Sequence, residues 1–369
     1  MKITKAFSLM IALSIIASCS YVRPQLKEER LNPPDMKDQL IVGLPDEAGL
    51  DVNILAKMLD SVEDDEHKDL NSILVTRKGV LVLEAYFNGE GRNTLHDIRS
   101  AGKSFTSTLV GIALQKGYLK NLDQKILTFF PEYMPLDTPD DRKERVTIRH
   151  LLEMRSGFDA NDSELDTPGC EDNMYDSKDW IHFALNVPMS EEPGKVWKYA
   201  GMNTMLLGGI VQSATRIPLP KFLEISLLKP MGISKYHWNK DPTGRAIGQG
   251  NLFLRPRDMV KFGLLFLHNG KWNDQQVVSA EWVHEATLPY SRLPSDPNIG
   301  YGYQWWISSE KIGMKNFNFF YANGNGGQRI YVVPDADMVV VITSFAYNQK
   351  RGHERSDRIF RNILSSIMD

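Results

Sequence analysis

Between Leu50 and Val62 the apolar residues Leu50, Ile54, Leu55, Met58, Leu59 and Val62 recur every three to four positions, which predicts an amphipathic helix. Two β-rich runs follow, Ser72 to Arg77 and Val80 to Phe87, and Lys78-Gly79 between them marks a hairpin. Strand-like runs return only near the other end, at Tyr301 to Ser308, Asn316 to Tyr321, Arg329 to Val333 and Met338 to Ser344. Pro334-Asp335-Ala336-Asp337 supplies the turn between the last two, and Arg355 to Met368 reads as a closing helix with Ile359, Ile363, Leu364 and Ile367 on one face. From about Ser100 to Ser291 the pattern is mostly helical, with long polar loops. Strands at both ends and helices between them predict an α+β fold: one antiparallel sheet built from about 41–99 and 300–369, with a mainly helical region, about 100–299, inserted.

The first residues follow another logic. Lys2 and Lys5 precede an apolar run from Ala6 to Ala17 that is short for a membrane span, and small residues lead to Cys19. This is the pattern of an export signal, and Ile16-Ala17-Ser18-Cys19 resembles a bacterial lipobox. Residues 1–18 are therefore expected to be a lipoprotein signal peptide, with Cys19 the lipidated anchor in the periplasm or cell envelope. Residues 19–40, holding three prolines and mixed charges, read as a tether, and 41–369 as a single domain.

Composition narrows the chemistry. With 43 basic and 46 acidic residues among 369, the chain has no basic footprint, so nucleic acid is not an expected partner. Two cysteines, Cys19 and Cys170, exclude a disulfide scaffold, and 8 histidines without metal-ligand spacing leave no metal or cofactor implied.

Ser100-Ala101-Gly102-Lys103 is an S-x-x-K motif, which places serine and lysine on one helical face. Ser226 to Lys229 and Ser308 to Lys311 repeat that spacing, so spacing alone decides nothing. Ser100 differs in opening a long helical run, where the positive helix end favours a developing anion; the same position also suits a simple N-cap. Tyr199 precedes a second apolar helical run, and Gly324-Asn325-Gly326-Gly327-Gln328 precedes a strand. Each alone also fits a core tyrosine and a tight turn. No G-x-S-x-G elbow is present.

Taken together and in order, these elements resemble the serine β-lactamase and penicillin-binding protein superfamily, in its class C-like esterase and amidase branch. The marks are Asp97 to Ser107, Thr147 to Leu152 with Ser156-Gly157, Pro193-Gly194, Tyr199, Leu252 to Phe262, Gly300 to Trp306 and the glycine run. Within that branch the likeness runs to the nylon-oligomer (aminohexanoate-oligomer) hydrolases. The resemblance implies that Ser100 is the acylated nucleophile, Lys103 its base and Tyr199 the proton shuttle to the leaving group. It implies an oxyanion hole from the N–H groups of Ser100 and Asn325, and substrate contacts from Asn203, Trp305, Gly324 and Gly326. On strand alternation only one of Trp305 and Trp306 can face a pocket. The expected pKa logic is a lysine lowered by burial and a tyrosine lowered by the nearby cation.

Two departures stand out. The family's tyrosine element carries an asparagine two residues on, where this chain has Gly201 and the nearest amide is Asn203. Its K-T-G element is replaced by glycines and Asn325, which weighs against a β-lactamase or D,D-peptidase acting on peptidoglycan-like substrates. Between Phe158 and Trp180 the residues Asp159, Asp162, Glu164, Asp166, Glu171, Asp172, Asp176 and Asp179 face a single Lys178. Such a run is either solvated surface or, beside a cleft, a field attracting amine-bearing substrates. His96, His150 and His237 are expected to be structural.

Overall fold

The computed structural model describes residues 27–368; the expected signal peptide and Cys19 lie outside the described residues. Its centre is a nine-stranded sheet: β1 (Ile41–Val42), β2 (Leu70–Arg77), β3 (Val80–Tyr86), β4 (Ser291–Arg292), β5 (Gly300–Tyr301), β6 (Trp306–Ile312), β7 (Lys315–Gly324), β8 (Gln328–Val333) and β9 (Met338–Ser344), in the order β1-β3-β2-β9-β8-β7-β6-β5-β4. The two ends of the chain meet where β2 pairs with β9, Leu74 opposite Val341. All neighbours are antiparallel except β1 and β3.

Both faces of the sheet are covered, which explains why β9 reads as a continuous apolar run. Its Met338, Val340 and Ile342 pack under α1 (Val52–Glu63) and the closing helix Lys350–Ser365. Val339 and Val341 join the larger core of the helical half, which includes α2 (Gly102–Gln115), α3 (Gly201–Thr215) and α4 (Pro256–Leu267). The helix α1 begins one residue after Asp51, whose carboxylate accepts the Asn53 N–H at 2.8 Å.

Two expectations are corrected. The stretch Tyr301 to Ser308 is not one strand. It folds back at Gly302–Trp305, so that Tyr301 pairs with Trp306, because Gln304 adopts φ 65° and its side chain is used as a strut. Gln304 accepts from Thr204 of α3 at 2.6 Å and donates to the carbonyls of Leu151 and Leu152, tying three elements beneath the site. The second half of the expected tether is docked: Arg30 is buried against Glu63, Asp38 accepts from Arg257 at 2.8 Å, and Gln39 accepts from Trp272 at 2.8 Å. These anchors are charged or polar, so apolar periodicity gives no sign of them.

Candidate active site

The short strand His96–Asp97 pairs with Leu252–Leu254 and delivers the chain to a single 3-10 turn, Arg99–Ala101, that runs into α2. Arg99 holds φ 50°, a left-handed conformation that costs a side-chain-bearing residue about 1–2 kcal/mol. Asp97 offsets this by accepting the Arg99 N–H at 2.9 Å and pairing with its guanidinium at 3.2 Å, while Tyr347 stacks against that cation at 4.2 Å. Ser100 is thereby presented at the turn, half-buried, and neither helical start is capped by a side chain. The N-cap alternative falls away.

Lys103, 2% exposed, donates to Ser100 Oγ at 3.1 Å and to the Gln249 carbonyl at 2.9 Å. Its ammonium lies 5.2 Å from the centre of the Tyr199 ring. The three residues are thus gathered at the junction of α2, α3 and the strap Gly248-Gln249-Gly250. The other two S-x-x-K copies are idle. Ser226 bonds to the Phe222 carbonyl while Lys229 pairs with Glu224, and Ser308 and Lys311 lie along strand β6.

The end of β7 closes on the same turn. A side chain at Gly324 would bring its Cβ within 2.3 Å of the Ile98 carbonyl, so only glycine lets the strand approach this near. Asn325 follows, its side chain fixed by Asn348 in two hydrogen bonds of 2.6 and 2.8 Å, and Gly326 lies against Tyr347 at φ 87°. Ser100 and Asn325 are thus on neighbouring segments, as an oxyanion pair requires.

Two substrate-contact expectations are corrected. Trp305 is fully buried among Phe262, Phe266 and Phe320 and lines no opening. Burying a ring of that size contributes on the order of 4–6 kcal/mol, more than its unpartnered indole N–H costs. Trp306, half-buried, lies 5.6 Å from Tyr199 and packs against Trp197 and Tyr301. Asn203 is 1% exposed and its amide donates to Met154 Sδ at 3.4 Å; α3 starts only at Gly201, so its first turn carries Asn203 inward.

The acidic segment divides. Asp166, Asp172 and Asp176 are exposed, Glu164 accepts from Asn161 at 2.9 Å, and Asp179 caps the helix Trp180–Asn186 and pairs with Arg245. Asp162 and Glu171 turn inward: Asp162 accepts the Gly201 N–H at 2.6 Å, and both carboxylates face Gly201. Their presence reverses the expected pKa logic. Burial works to lower the Lys103 pKa, but Tyr199, Glu171 and Asp162 outweigh it and the net direction is up. Burial raises Tyr199 against the opposing effect of Lys103, and burial pushes Asp162 up to about 7. The resting pair is an ammonium beside a neutral phenol.

His96 meets Asn71 at 3.1 Å, His150 completes a capping box with Thr147, and His237 meets Asn239 at 2.8 Å. None of the three contacts Ser100. Pattern reading gave no role to Gln249 or Gln304, and of the two tryptophans it took Trp305 rather than Trp306. The G-x-G around Gln249 was the available signal for the strap.

The sequence profile described as Beta-lactamase matches residues 66–364, most of the chain. The chain belongs to the beta-lactamase family. This beta-lactamase-family protein is a serine hydrolase, 24% identical over 331 residues to the 6-aminohexanoate-dimer hydrolase of Paenarthrobacter ureafaciens, covering 80% of this chain and 78% of that one. It is 26% identical over 168 residues to Protein flp of Staphylococcus aureus, covering 43% of this chain and 33% of that one. Among solved structures, its fold is similar to EstCE1, a hydrolase with promiscuous acyltransferase activity, with TM-score 0.69 at 14% identity over 84% of this chain and 99% of that one. A D-stereospecific amidohydrolase from Streptomyces sp. superposes with TM-score 0.61 at 18% identity, covering 83% and 98%.

Proposed function

We propose that this beta-lactamase-family protein is an envelope esterase or amidase that works through an acyl-enzyme on Ser100. The observation that carries this is the approach of Lys103 Nζ to Ser100 Oγ, 3.1 Å, under Tyr199. In the reading we favour, Ser100 Oγ bonds to the acyl carbon as its proton passes to the Lys103–Tyr199 pair. The Ser100 and Asn325 N–H groups hold the oxyanion, the bond to the leaving group breaks, and Tyr199 returns a proton to that group. Water then releases the acid and restores Ser100. A small ester or amide is the substrate. The half-buried rings of Trp197 and Trp306 suit an apolar acyl chain, and the exposed carboxylates of the acidic segment suit an amine at its far end.

The test is a hydrolysis panel of p-nitrophenyl esters, D-amino-acid amides, ω-amino-acid oligomers and a chromogenic cephalosporin, with fluorophosphonate labelling alongside. Ester or amide turnover that the label abolishes is the expected result. Preferential cephalosporin turnover would favour the β-lactamase reading, and absence of both label and turnover would leave an idle ligand-binding protein.

The anchor belongs to the same proposal: cleavage before Cys19 and its acylation would hold the enzyme on a membrane. Cys19→Ser is expected to move it out of the membrane fraction or leave it uncleaved. Wild-type protein found wholly in the aqueous fraction would overturn the anchor.

A further inference from the structure

The ammonium of Lys103 is shared between Ser100 and a turn on another segment. That turn, Ile247-Gly248-Gln249-Gly250, is closed by the Gly250 N–H, which donates to the Ile247 carbonyl at 3.1 Å. The carbonyls of its two central residues are both taken by side chains of α2. Thr106 Oγ1 donates to the Gly248 carbonyl at 2.6 Å, and Lys103 Nζ donates to the Gln249 carbonyl at 2.9 Å. Lys103 and Thr106 are one helical turn apart and so share a face. Thr106 is wholly buried, and its bond differs from that of Thr108, whose hydroxyl returns to the Ser104 carbonyl of its own helix at 2.7 Å.

The turn is gripped at its ends as well. Trp238 Nε1 donates to the Ile247 carbonyl at 2.8 Å and to the Gly250 carbonyl at 2.9 Å. Trp238 belongs to the small sheet whose middle strand, Leu252–Leu254, also pairs with His96–Asp97 and so supports the nucleophile turn. The turn also abuts α3: a Cβ at Gly248 would lie 2.7 Å from the Thr204 carbonyl oxygen, too close for any side chain.

We propose that Thr106 and Trp238 are positioning residues which, on the Ser100–Lys103 reading above, act through this turn to aim Lys103 at Ser100. Lys103 can take the Ser100 proton only as a neutral amine, after releasing one proton of its own to water. A neutral amine has two N–H groups and one lone pair. Donation of one N–H to the Gln249 carbonyl restricts rotation about the Cε–Nζ bond and leaves the lone pair free to face Ser100 Oγ, 3.1 Å away. The proton of Ser100 then passes to that lone pair as Oγ bonds to the acyl carbon. A Gln249 carbonyl loosened by about 1 Å would let the amine turn away, and misplacement of that size costs on the order of 10²-fold in rate.

The paired variants Thr106→Val and Thr106→Ser test the assignment on a neutral p-nitrophenyl ester. Valine keeps the shape of the side chain and removes the hydroxyl, whereas serine keeps the hydroxyl. Thr106→Val should lower kcat on the order of 10- to 100-fold with KM held within about threefold, and should slow fluorophosphonate labelling by a similar factor. Thr106→Ser should recover most of that loss. Trp238→Phe, which retains a packed ring and removes the N–H, should move kcat and labelling in the same direction, and it decides the matter alone should Thr106→Val fail to fold. An unchanged kcat in Thr106→Val or in Trp238→Phe would overturn the proposal. So would serine and valine variants that are equally impaired, the mark of a packing effect, or a rise in KM alone, the mark of a role in substrate binding. A wild-type protein that neither labels nor turns over would overturn the Ser100 reading and the positioning role with it. A labelled, active wild type whose rates both substitutions leave in place would overturn the positioning role alone.

Discussion

Ser100→Ala should remove turnover and fluorophosphonate labelling while leaving the fold in place. Loss of a serine nucleophile that acts as one unit with its base lowers kcat on the order of 10⁶-fold, to the level left by oxyanion stabilisation and binding. The structural cost is small because the Ser100 hydroxyl is not a helix cap and sits half-exposed at the turn, where it accepts from Lys103. Thermal unfolding should therefore shift by no more than about 1 kcal/mol. Stopped assays on the best ester, with intact-mass detection of the label, check both halves. A variant that still takes the label would move the nucleophile elsewhere, and one that is inactive but unfolded would say nothing special about Ser100.

How far the sequence leads depends on whether a feature is periodic or is made by contacts between distant segments. The continuous apolar run in Met338–Ser344 and the spacing of Leu55, Met58, Leu59 and Val62 reflect burial against whole layers, so the sheet and its covering helices could be read from pattern. Ser100, Lys103 and Tyr199 were legible through motif order, and the structure brings them together. The fold-back after Tyr301 was not, because its cause is a single Gln304 side chain whose partners are 100 and more residues away. Trp305 and Trp306 were consequently exchanged, since the alternation argument assumed one continuous strand. Asp162 was seen only as one of eight acids. Which of them turn inward depends on the space over Gly201, a property of packing that no local pattern carries.

Lys103→Met should be nearly as severe as loss of the nucleophile, on the order of 10⁴-fold or more in kcat, because it removes the proposed base within reach of Ser100 Oγ. Unlike that of Ser100→Ala, its stability loss relative to wild type should also depend on pH. In the wild-type protein the Lys103 cation restrains the Asp162 carboxyl, which burial has raised from 3.8 to about 7. Without the cation the folded-state value climbs further, while the unfolded value stays near 4. A carboxyl whose folded pKa lies above its unfolded pKa makes the folded state bind the extra proton, so stability falls as pH rises through that window. Around pH 5 Asp162 is protonated in the variant and little is lost. Above pH 7 it must either stay protonated at growing cost or ionise without its cation, a penalty of up to about 3 kcal/mol for a buried partnerless charge. The Tm gap between Lys103→Met and wild type should therefore widen from pH 5 to pH 9, while the gap for Ser100→Ala stays flat. A kcat within tenfold of wild type would remove Lys103 from the reaction, and a Tm gap independent of pH would mean that the lysine and the two inward-facing carboxylates do not share their charge.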